Sequence, residues 1–262
     1  MTPGFPRLFA ITLLVSSLHA ETNLEKGKRI VLESLEALGG KAFQSVQDRT
    51  ETGRAYSFYR ERLTGLAVAR IMTKYETPKP GEIAVREREA FGKKEDQLVL
   101  LLPEGCYQLT YRGAKPLPKD RVERYRESTL RNVFYILRER MDEPGLNFEY
   151  KGADIFENAP VEVVDIYDSV NRSVTVYFHQ STKLPIRQIF TVRDPDTKER
   201  NEEVSRFTKY RNVGGGVQWP FNILRERNGE KIFELFSESV TVNNNLKESL
   251  FVLPTGTNVI KQ

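Results

Sequence analysis

Short segments with the two-residue period of a β-strand, separated by turn residues, run through most of this chain from Thr50 onward. Candidate strands cover residues 50–60, 66–76, 82–91, 96–102, 105–112, 146–151, 161–168, 172–180, 184–193, 202–212, 217–227 and 230–243. Their connections are too short for the crossover that parallel strands require. The sequence therefore predicts an antiparallel meander of about a dozen strands, which must curl, split or close because flat sheets rarely grow so large.

Turn chemistry supports these strand boundaries. Asn228-Gly229 between two alternating runs is the strongest hairpin signal. The other predicted turns are Leu63-Thr64-Gly65, Pro78-Lys79-Pro80-Gly81, Gly92-Lys93-Lys94, Pro103-Glu104-Gly105, Ser169-Val170-Asn171, Ser181-Thr182-Lys183, Asp194-Pro195-Asp196 and Gly214-Gly215-Gly216.

Two helices are predicted in addition to the strands. In the first, Thr22 and Glu25 form a capping box and Gly39-Gly40 ends the helix. Its apolar face consists of Leu24, Ile30, Val31, Leu35 and Leu38, and Phe43 and Val46 follow as core residues.

The second predicted helix spans residues 120–141, with a capping box at Asp120 and Glu123. One apolar stripe consists of Leu130, Val133, Phe134, Leu137 and Met141. Such a stripe needs an apolar surface to cover, and a curved sheet provides one on its concave face. The predicted fold class is therefore mainly β (α+β), with an N-terminal helix and a helix at about residues 120–141 packed on the concave side of a strongly curved antiparallel sheet.

Residues 1–20 have the layout of a secretory signal peptide: Arg7, an apolar run from Leu8 to Val15, and small residues leading to Ala20. The run is shorter than the roughly 20 residues that a membrane-spanning helix needs. We expect cleavage near Ala20, an exported mature chain without a transmembrane segment, and one domain over residues 21–262.

Composition excludes several function classes. The 40 basic residues barely exceed the 36 acidic ones, and the two kinds are interleaved, as in Arg86–Glu89. A nucleic-acid-binding protein would carry a one-sided basic patch, so no nucleic-acid partner is expected. With 1 cysteine and 2 histidines, the chain has no internal disulfide and no cysteine-based zinc site, and neither a metal nor another cofactor is expected.

Individual reactive residues give weak signals. His179 has no Gly-x-Ser-x-Gly segment to accompany it, so we interpret it as a strand residue rather than a catalytic base. Cys106 fits a small buried side chain. The turn with Asp194, Asp196 and Glu199 lacks the spacing of a calcium loop, and no helix follows Gly214–Gly216 as a phosphate-binding loop would require. No catalytic residue is assigned.

The chain resembles a known family loosely over residues 21–262. The segments that carry the resemblance are the helix ending at Gly39-Gly40, Ser181–Arg187, Gly215–Pro220, the hairpin at Asn228-Gly229, Val240–Asn243, Leu246 and Phe251–Pro254. In these segments the chain resembles the outer-membrane lipoprotein carrier (LolA-like) superfamily, most closely over residues 172–254.

The resemblance implies an unclosed half-barrel with helices over its opening and a periplasmic location. In that family an apolar cavity between sheet and helices holds acyl chains, while other members bind glycolipids or sense envelope stress through protein contacts. The charges on both faces of Val85–Ala90 depart from a purely apolar cavity. No family residue that contacts lipoproteins is carried over.

Aromatic and aliphatic side chains supply candidates for a cavity lining. Trp219 and Phe221 point to the same face because they are two residues apart. The candidate lining residues are Leu130, Phe134, Leu137, Phe190, Trp219 and Phe221. Core packing would use the same residue types, so the sequence leaves both roles open.

Three functions follow from these interpretations. The first is an exported binding protein that holds a lipid or the acyl chains of a lipoprotein. The second is an envelope protein-interaction module with a filled core, binding a protein partner. The third is a secreted hydrolase, which would need two carboxylates of perturbed pKa facing each other across a cleft.

Overall fold

A computed structural model describes residues 20–77, 83–193 and 197–260. The expected signal peptide and the turns at residues 78–81 and 194–196 lie wholly or largely outside these ranges. Thirteen strands form one antiparallel sheet in the order β6-β5-β4-β3-β2-β1-β13-β12-β11-β10-β9-β8-β7. The strands are β1 Asp48–Tyr59, β2 Arg62–Tyr75, β3 Val85–Phe91, β4 Gln97–Leu102, β5 Gly105–Thr110, β6 Gly113–Pro116, β7 Asn147–Phe156, β8 Ala159–Tyr167, β9 Ser173–His179, β10 Pro185–Arg193, β11 Arg200–Asn212, β12 Gln218–Arg227 and β13 Glu230–Val242.

The sheet consists of two meanders joined at a seam. Strands β1–β6 and β7–β13 each follow chain order, and the first strand pairs with the last, Glu51 opposite Val240. The edges are therefore β6 and β7, which do not pair with each other, and the sheet stays unclosed. This confirms the predicted mainly β fold with a curved, unclosed antiparallel sheet.

Helices cover the concave face. These are α1 (Asn23–Leu38), α2 (Lys41–Gln44), α3 (Lys119–Arg131), α4 (Val133–Tyr135) and a π-helical turn that continues α4 over Ile136–Arg140. The segment from α3 to the π-turn connects β6 with β7, so it crosses the opening between the two sheet edges.

Helix α1 lies against the edge strand β7. A side chain at Gly27 would bring its Cβ within 2.8 Å of the Phe148 carbonyl carbon and 2.9 Å of the Tyr150 nitrogen. The glycine therefore allows helix and strand backbones to touch. The predicted capping box is present, since Thr22 Oγ1 accepts from the Glu25 amide at 3.2 Å. Leu24 was expected in the apolar face but is 48% exposed in the first turn of α1.

The second predicted helix is interrupted. Asn132 has extended backbone angles (φ −68°, ψ 124°) and ends α3. Its side chain then caps α4, accepting hydrogen bonds from Phe134 N at 3.0 Å and Tyr135 N at 3.2 Å. The predicted capping box at Asp120 and Glu123 is wrong, because α3 already begins at Lys119 after Pro118 and has no side-chain cap.

Several strand boundaries differ from the prediction. The β1–β2 turn is Arg60-Glu61, both with positive φ, and Thr64 in the predicted turn is a bulge between the two strands. A two-residue turn at Glu157-Asn158 extends β7 well beyond its predicted end. The short edge strand β6 was missed because Gly113 follows β5 after only two residues.

The tail after β13 covers part of the convex face. A 3-10 turn at Glu248–Phe251 buries Phe251 completely against Met72, Leu100 and Leu109. Farther on, Ala114 of β6 donates to Asn258 O at 2.9 Å and accepts from Ile260 N at 2.8 Å. The tail therefore also shields the outer edge of β6.

Candidate functional site: the concave face

Strand register decides which side chains face the helices. Residues paired across neighbouring strands point to the same face, so one inner row runs from Val240 through Glu51, Ile71 and Glu89 to Val99. The adjacent inner row contains Val242, Arg49, Thr73, Glu87 and Leu101. The concave face is therefore partly apolar and partly charged.

Five of the six candidate lining residues meet in one buried cluster under α1, α2 and α4. They are Phe134, Leu137, Phe190, Trp219 and Phe221, each at most 7% exposed. Leu130 lies apart from them, half-buried beside Ile83, Val85 and Tyr135. The break between helices α3 and α4 at Asn132 separates Leu130 from the rest of the predicted apolar stripe.

Phe134 occupies the space between α4 and the sheet. Its ring centroid lies 4.9 Å from that of Phe207 and 4.8 Å from that of Trp219. Both distances are within the range of favourable aromatic pairs. Side chains therefore fill this half of the interior in the described structure.

Stacked cations and aromatic rings border that cluster. The Arg49 guanidinium lies 3.9 Å from the Trp219 ring centroid, and Arg138 of the π-turn lies 4.1 Å from the Tyr75 ring. Arg49 also donates to Tyr75 Oη at 3.1 Å and to Thr73 Oγ1 at 3.0 Å. These contacts separate the apolar cluster from the charged part of the inner face on β1–β3.

Beyond these contacts lie three carboxylates, Glu51 on β1 and Glu87 and Glu89 on β3, with β2 between the two strands. Glu51 is buried, accepts a hydrogen bond from Ser237 Oγ, and has Arg49 Nε 3.7 Å from its Oε2. Burial nevertheless raises the pKa of Glu51 above its ordinary value. Glu89 follows in the same row, and burial together with the charge of Glu87 raises its pKa to about 8.

Helix α3 places a phenol near these carboxylates. Burial raises the pKa of Tyr125 well above its ordinary value, and the charges of Glu87 and Glu89 add to that effect. Arg225 of β12 and Arg121 of α3 act on Glu89 in the opposite direction. Toward the β1–β2 turn the inner face becomes apolar again, with Ala55, Ala69, Ile71 and Leu235 buried beside Phe91 and Phe233.

Glu87 and Glu89 are next-but-one neighbours on one strand, so their side chains point to the same face. The carboxyl groups of a glycoside hydrolase flank the scissile bond from separate positions. Two carboxyl groups side by side on one strand do not match that arrangement.

Specific hydrogen bonds fix α4 over the concave face. The Val133 amide donates to Oε1 of the buried Gln188 at 2.9 Å, and the Ala84 amide donates to Tyr135 Oη at 2.9 Å. Together with the Asn132 cap, these bonds join α4 to β10 on one side and to the segment before β3 on the other.

An ion network joins the helical segment to the turn between β8 and β9. Arg140 donates to Asp168 Oδ2 at 2.8 Å, and Arg172 donates to the same oxygen at 2.6 Å. Arg172 also donates to both oxygens of Glu127 at 3.1 Å, and Glu127 pairs with Arg131. We call these five residues the latch. Burial alone would raise the pKa of Asp168, but hydrogen bonds from Arg140 and Arg172 outweigh it and lower that pKa.

The remaining candidates have structural surroundings. His179 Nδ1 accepts from Ser181 N at 3.1 Å and Thr182 N at 3.2 Å, so the ring closes the β9–β10 turn. Cys106 is buried, and burial raises the pKa of its thiol. Among residues 20–77, 83–193 and 197–260, no group of three or more His, Cys, Asp or Glu side chains could hold a metal ion.

Two surface depressions lie outside the concave interior. One of about 390 Å³ is lined by Leu24, Lys28, Met141, Asp142, Glu143, Leu146, Asn147 and Phe148. The other, of about 480 Å³, is lined by Thr191, Arg193, Arg200, Glu202 and Asn228. Neither contains any of the six candidate lining residues.

The inner carboxylates were not predicted from the sequence as part of the site. A signal was present, because Glu87 and Glu89 share parity in Val85–Ala90 and one face of that strand had to point inward. Glu51 and Arg49 gave no comparable signal, because their inward direction depends on the register of β1 with β13.

Solved structures of other proteins share this architecture. A domain named for outer membrane lipoprotein sorting, from Vibrio parahaemolyticus, has a TM-score of 0.58 at 12% identity over 87% of this chain and 97% of its own. A DUF1329 family protein from Desulfovibrio piger has a TM-score of 0.60 at 10% identity, covering 88% and 98%. A LolA superfamily protein from Nitrosomonas europaea has a TM-score of 0.51 at 12% identity, covering 86% and 97%.

No protein-family model and no curated protein sequence matches the chain. The structural similarities, at these low identities, define the fold: the chain has the unclosed half-barrel of the LolA-like superfamily. The resemblance inferred from the sequence is thereby confirmed at the level of the fold. None of the helices in the described ranges is long and apolar enough to cross a bilayer.

Proposed function

We propose that this protein is an exported, non-enzymatic binding protein of the periplasm that holds a lipid or the acyl chains of a lipoprotein between the sheet and the α3–α4 segment. The signal-like residues 1–20 support export. The names of two structural neighbours, which refer to lipoprotein sorting and the LolA superfamily, support the ligand class.

One observation supports the position of the ligand. The apolar concave face under α4 is covered by a helical segment of only 3 residues and a π-turn of 5, and Phe134 fills the space beneath them. An acyl chain that displaced Phe134 would contact Trp219, Phe221 and Phe190. Burial of each methylene yields about 0.8 kcal/mol, so a chain of a dozen or more methylenes could offset the displacement of α4.

Loading requires α4 to move. The bonds that would have to open are those from Asn132, Gln188 and Tyr135, while the latch holds the end of the π-turn at Arg140. In this proposal α4 moves away from the sheet, while the latch keeps the end of the π-turn in place.

The second candidate function is the protein-interaction module. It is favoured by the close packing of the five clustered lining residues, which leaves this half of the interior filled. In this case the interior holds no ligand, and the outer surface binds the protein partner.

Mass spectrometry of lipids extracted from the exported protein, purified from its native envelope without detergent, tests the proposal. We expect one acyl-bearing species in stoichiometric amount. If the protein is lipid-free and also fails to take up a fluorescent fatty acid, the proposal is wrong and the protein-interaction module is favoured.

A pair of variants tests the position of the ligand. Phe134→Asp should abolish fatty-acid uptake, because it puts a carboxylate where the acyl chain would lie. Ile155→Asp makes the same kind of change at a side chain that is 73% exposed near the end of β7, and it should leave uptake unchanged. If Phe134→Asp does not fold, Phe134→Ala should fold and change the fatty-acid affinity; uptake equal to the wild type in a folded Phe134 variant contradicts the assignment.

A further inference from the structure

The end of the β1–β2 hairpin extends beyond β3 on one side. Pairing of β1 with β13 ends at Ser57, opposite Phe233, and pairing of β2 with β3 begins at Ala69. Between these positions the hairpin strands have ladder partners only in each other among the described residues. The β12–β13 hairpin reaches about as far on the other side, so the turn at Arg60-Glu61 lies at an exposed end of the sheet.

The convex face at this end of the hairpin is apolar and uncovered. Leu63 is 55% exposed, Leu66 57% and Val68 45%, and the register puts all three on the convex side. Tyr56 and Phe236 support them from below with ring centroids 5.7 Å apart. We call this surface the convex strip: Tyr56, Phe58, Leu63, Leu66, Val68 and Phe236.

The strip continues an apolar row that is otherwise covered. Farther along β2, Met72 on the same face is buried beneath the C-terminal tail. The tail does not extend over Leu63, Leu66 and Val68. Contiguous exposed apolar surface of this kind marks an interaction site more often than isolated exposed side chains do.

Cations surround the strip. Lys231 Nζ lies 5.0 Å from the Phe58 ring centroid, Lys209 Nζ lies 5.2 Å from that of Phe236, and Arg60 stacks 5.4 Å from Tyr59 at the tip. Lys231 pairs with Glu234 and Arg54 pairs with Glu238. Arg60 and Arg62 are exposed and form no ion pair with a described carboxylate, although Glu61 stands between them in the chain.

We propose that the convex strip and the turn at residues 59–62 dock onto the surface of an anionic lipid bilayer. Exposed aliphatic side chains at the end of a sheet can enter the boundary between headgroups and acyl chains, and a tyrosine ring suits that depth. Arginines beside them reach lipid phosphates, each contributing roughly fivefold to binding near an anionic surface. This surface is on the opposite face of the sheet from the proposed acyl-binding interior, so it does not depend on that proposal.

Vesicle flotation of the exported protein tests the docking surface. Intact mass must first show that residues 1–20 are absent, because an uncleaved apolar leader would bind membranes by itself. We expect co-flotation with vesicles of equal parts phosphatidylglycerol and phosphatidylcholine, weaker binding to pure phosphatidylcholine, and loss of most binding at about 1 M salt, where charges are screened within a few Å.

Two double variants separate the apolar and electrostatic contributions. Leu63→Ser with Leu66→Ser should lower the vesicle partition coefficient roughly 30-fold, since each leucine has about half of its surface left to bury. Arg60→Gln with Arg62→Gln should lower it by a similar factor on anionic vesicles only. The matched controls are Ile155→Ser, which is 73% exposed on another hairpin, and Lys28→Gln with Lys41→Gln on the helices; both should bind like the wild type.

The proposal is overturned if the wild type does not float with anionic vesicles or if both hairpin variants float as well as it does. Binding only to native envelope membranes, and only until those membranes are treated with protease, would also overturn it and assign the convex strip to a protein partner.

Discussion

Glu89 illustrates how a single partly buried carboxylate couples folding to pH. Its pKa is about 8 in the folded protein, against an ordinary value of 4.5, because of burial and the neighbouring charge of Glu87. The folded state therefore binds this proton more tightly than the unfolded chain does. Stability from this group is present below pH 4.5 and is lost as the pH rises toward 8.

Replacing Glu89 with Gln should remove that pH dependence. We expect Glu89→Gln to stabilise the protein at pH 8 by roughly 2 kcal/mol and to change little at pH 5, since an amide resembles the protonated carboxyl. Urea unfolding at the two pH values measures the difference. Glu61→Gln, at the exposed hairpin turn, is the control, and an equal response of the two variants would contradict the assigned pKa.

The residues of the site were only partly predictable from sequence. The burial of Phe134, Leu137, Trp219 and Phe221 was predictable because apolar periodicity reports which side of an element is buried. Arg49 and Glu51 were missed because charged residues are normally expected outside, and only the pairing of β1 with β13 turns them inward.

The latch connects elements that are distant in sequence. Arg140 is 5% exposed, so its guanidinium depends on Asp168 and Glu143 for compensation of its charge. Removing one partner of a buried ion pair costs more than the pair itself contributes, because the other charge remains without its partner. The latch should therefore determine how firmly the π-turn is held.

We expect Asp168→Asn to lower the free energy of unfolding by about 3 kcal/mol. Amides of α4 and the π-turn should also exchange with solvent faster than in the wild type, because the end of the segment is released. Hydrogen exchange measured by mass spectrometry gives the second readout. Asp120→Asn, which removes an exposed pair with Arg124, should change stability by less than about 0.5 kcal/mol; a similar effect from both variants would argue against the latch.

The sequence predicted which segments are helices and which are strands better than it predicted where each one begins and ends. Both long helices were found from their apolar stripes, but the break at Asn132 was not, because Asn is also tolerated within a helix and its cap for α4 becomes visible only in three dimensions. The turn at Arg60-Glu61 was missed for a related reason, since neither residue is typical of positions with positive φ.

The whole sheet depends on the seam between β1 and β13. The bulge at Thr52/Gly53 lies within it, and a Cβ at Gly53 would come within 2.8 Å of Ser237 Cα and 2.9 Å of the Phe236 carbonyl carbon. Both contacts are with backbone atoms, which cannot move aside without shifting β13. The glycine thus fixes how closely the two meanders approach.

Gly53→Ala should therefore destabilise both meanders together, by about 3 kcal/mol or more. Gly65→Ala is a matched control on the neighbouring strand, because its Cβ would meet only the Ser57 side chain at 3.5 Å. We expect the control to lie within about 1 kcal/mol of the wild type. Thermal unfolding followed by circular dichroism measures the stability of both variants. If Gly53→Ala is as stable as the wild type, β1 and β13 can separate enough to accept a Cβ, and the prediction is wrong.

The seam also sets an order of events in time. β1 is synthesised well before β13, yet each is the other's neighbour in the sheet. Until β13 emerges, one side of β1 offers unpaired backbone groups to any other strand, and contacts of such long sequence separation form slowly. The first meander therefore keeps an open edge at β1 until the last strand of the second meander is available to pair with it.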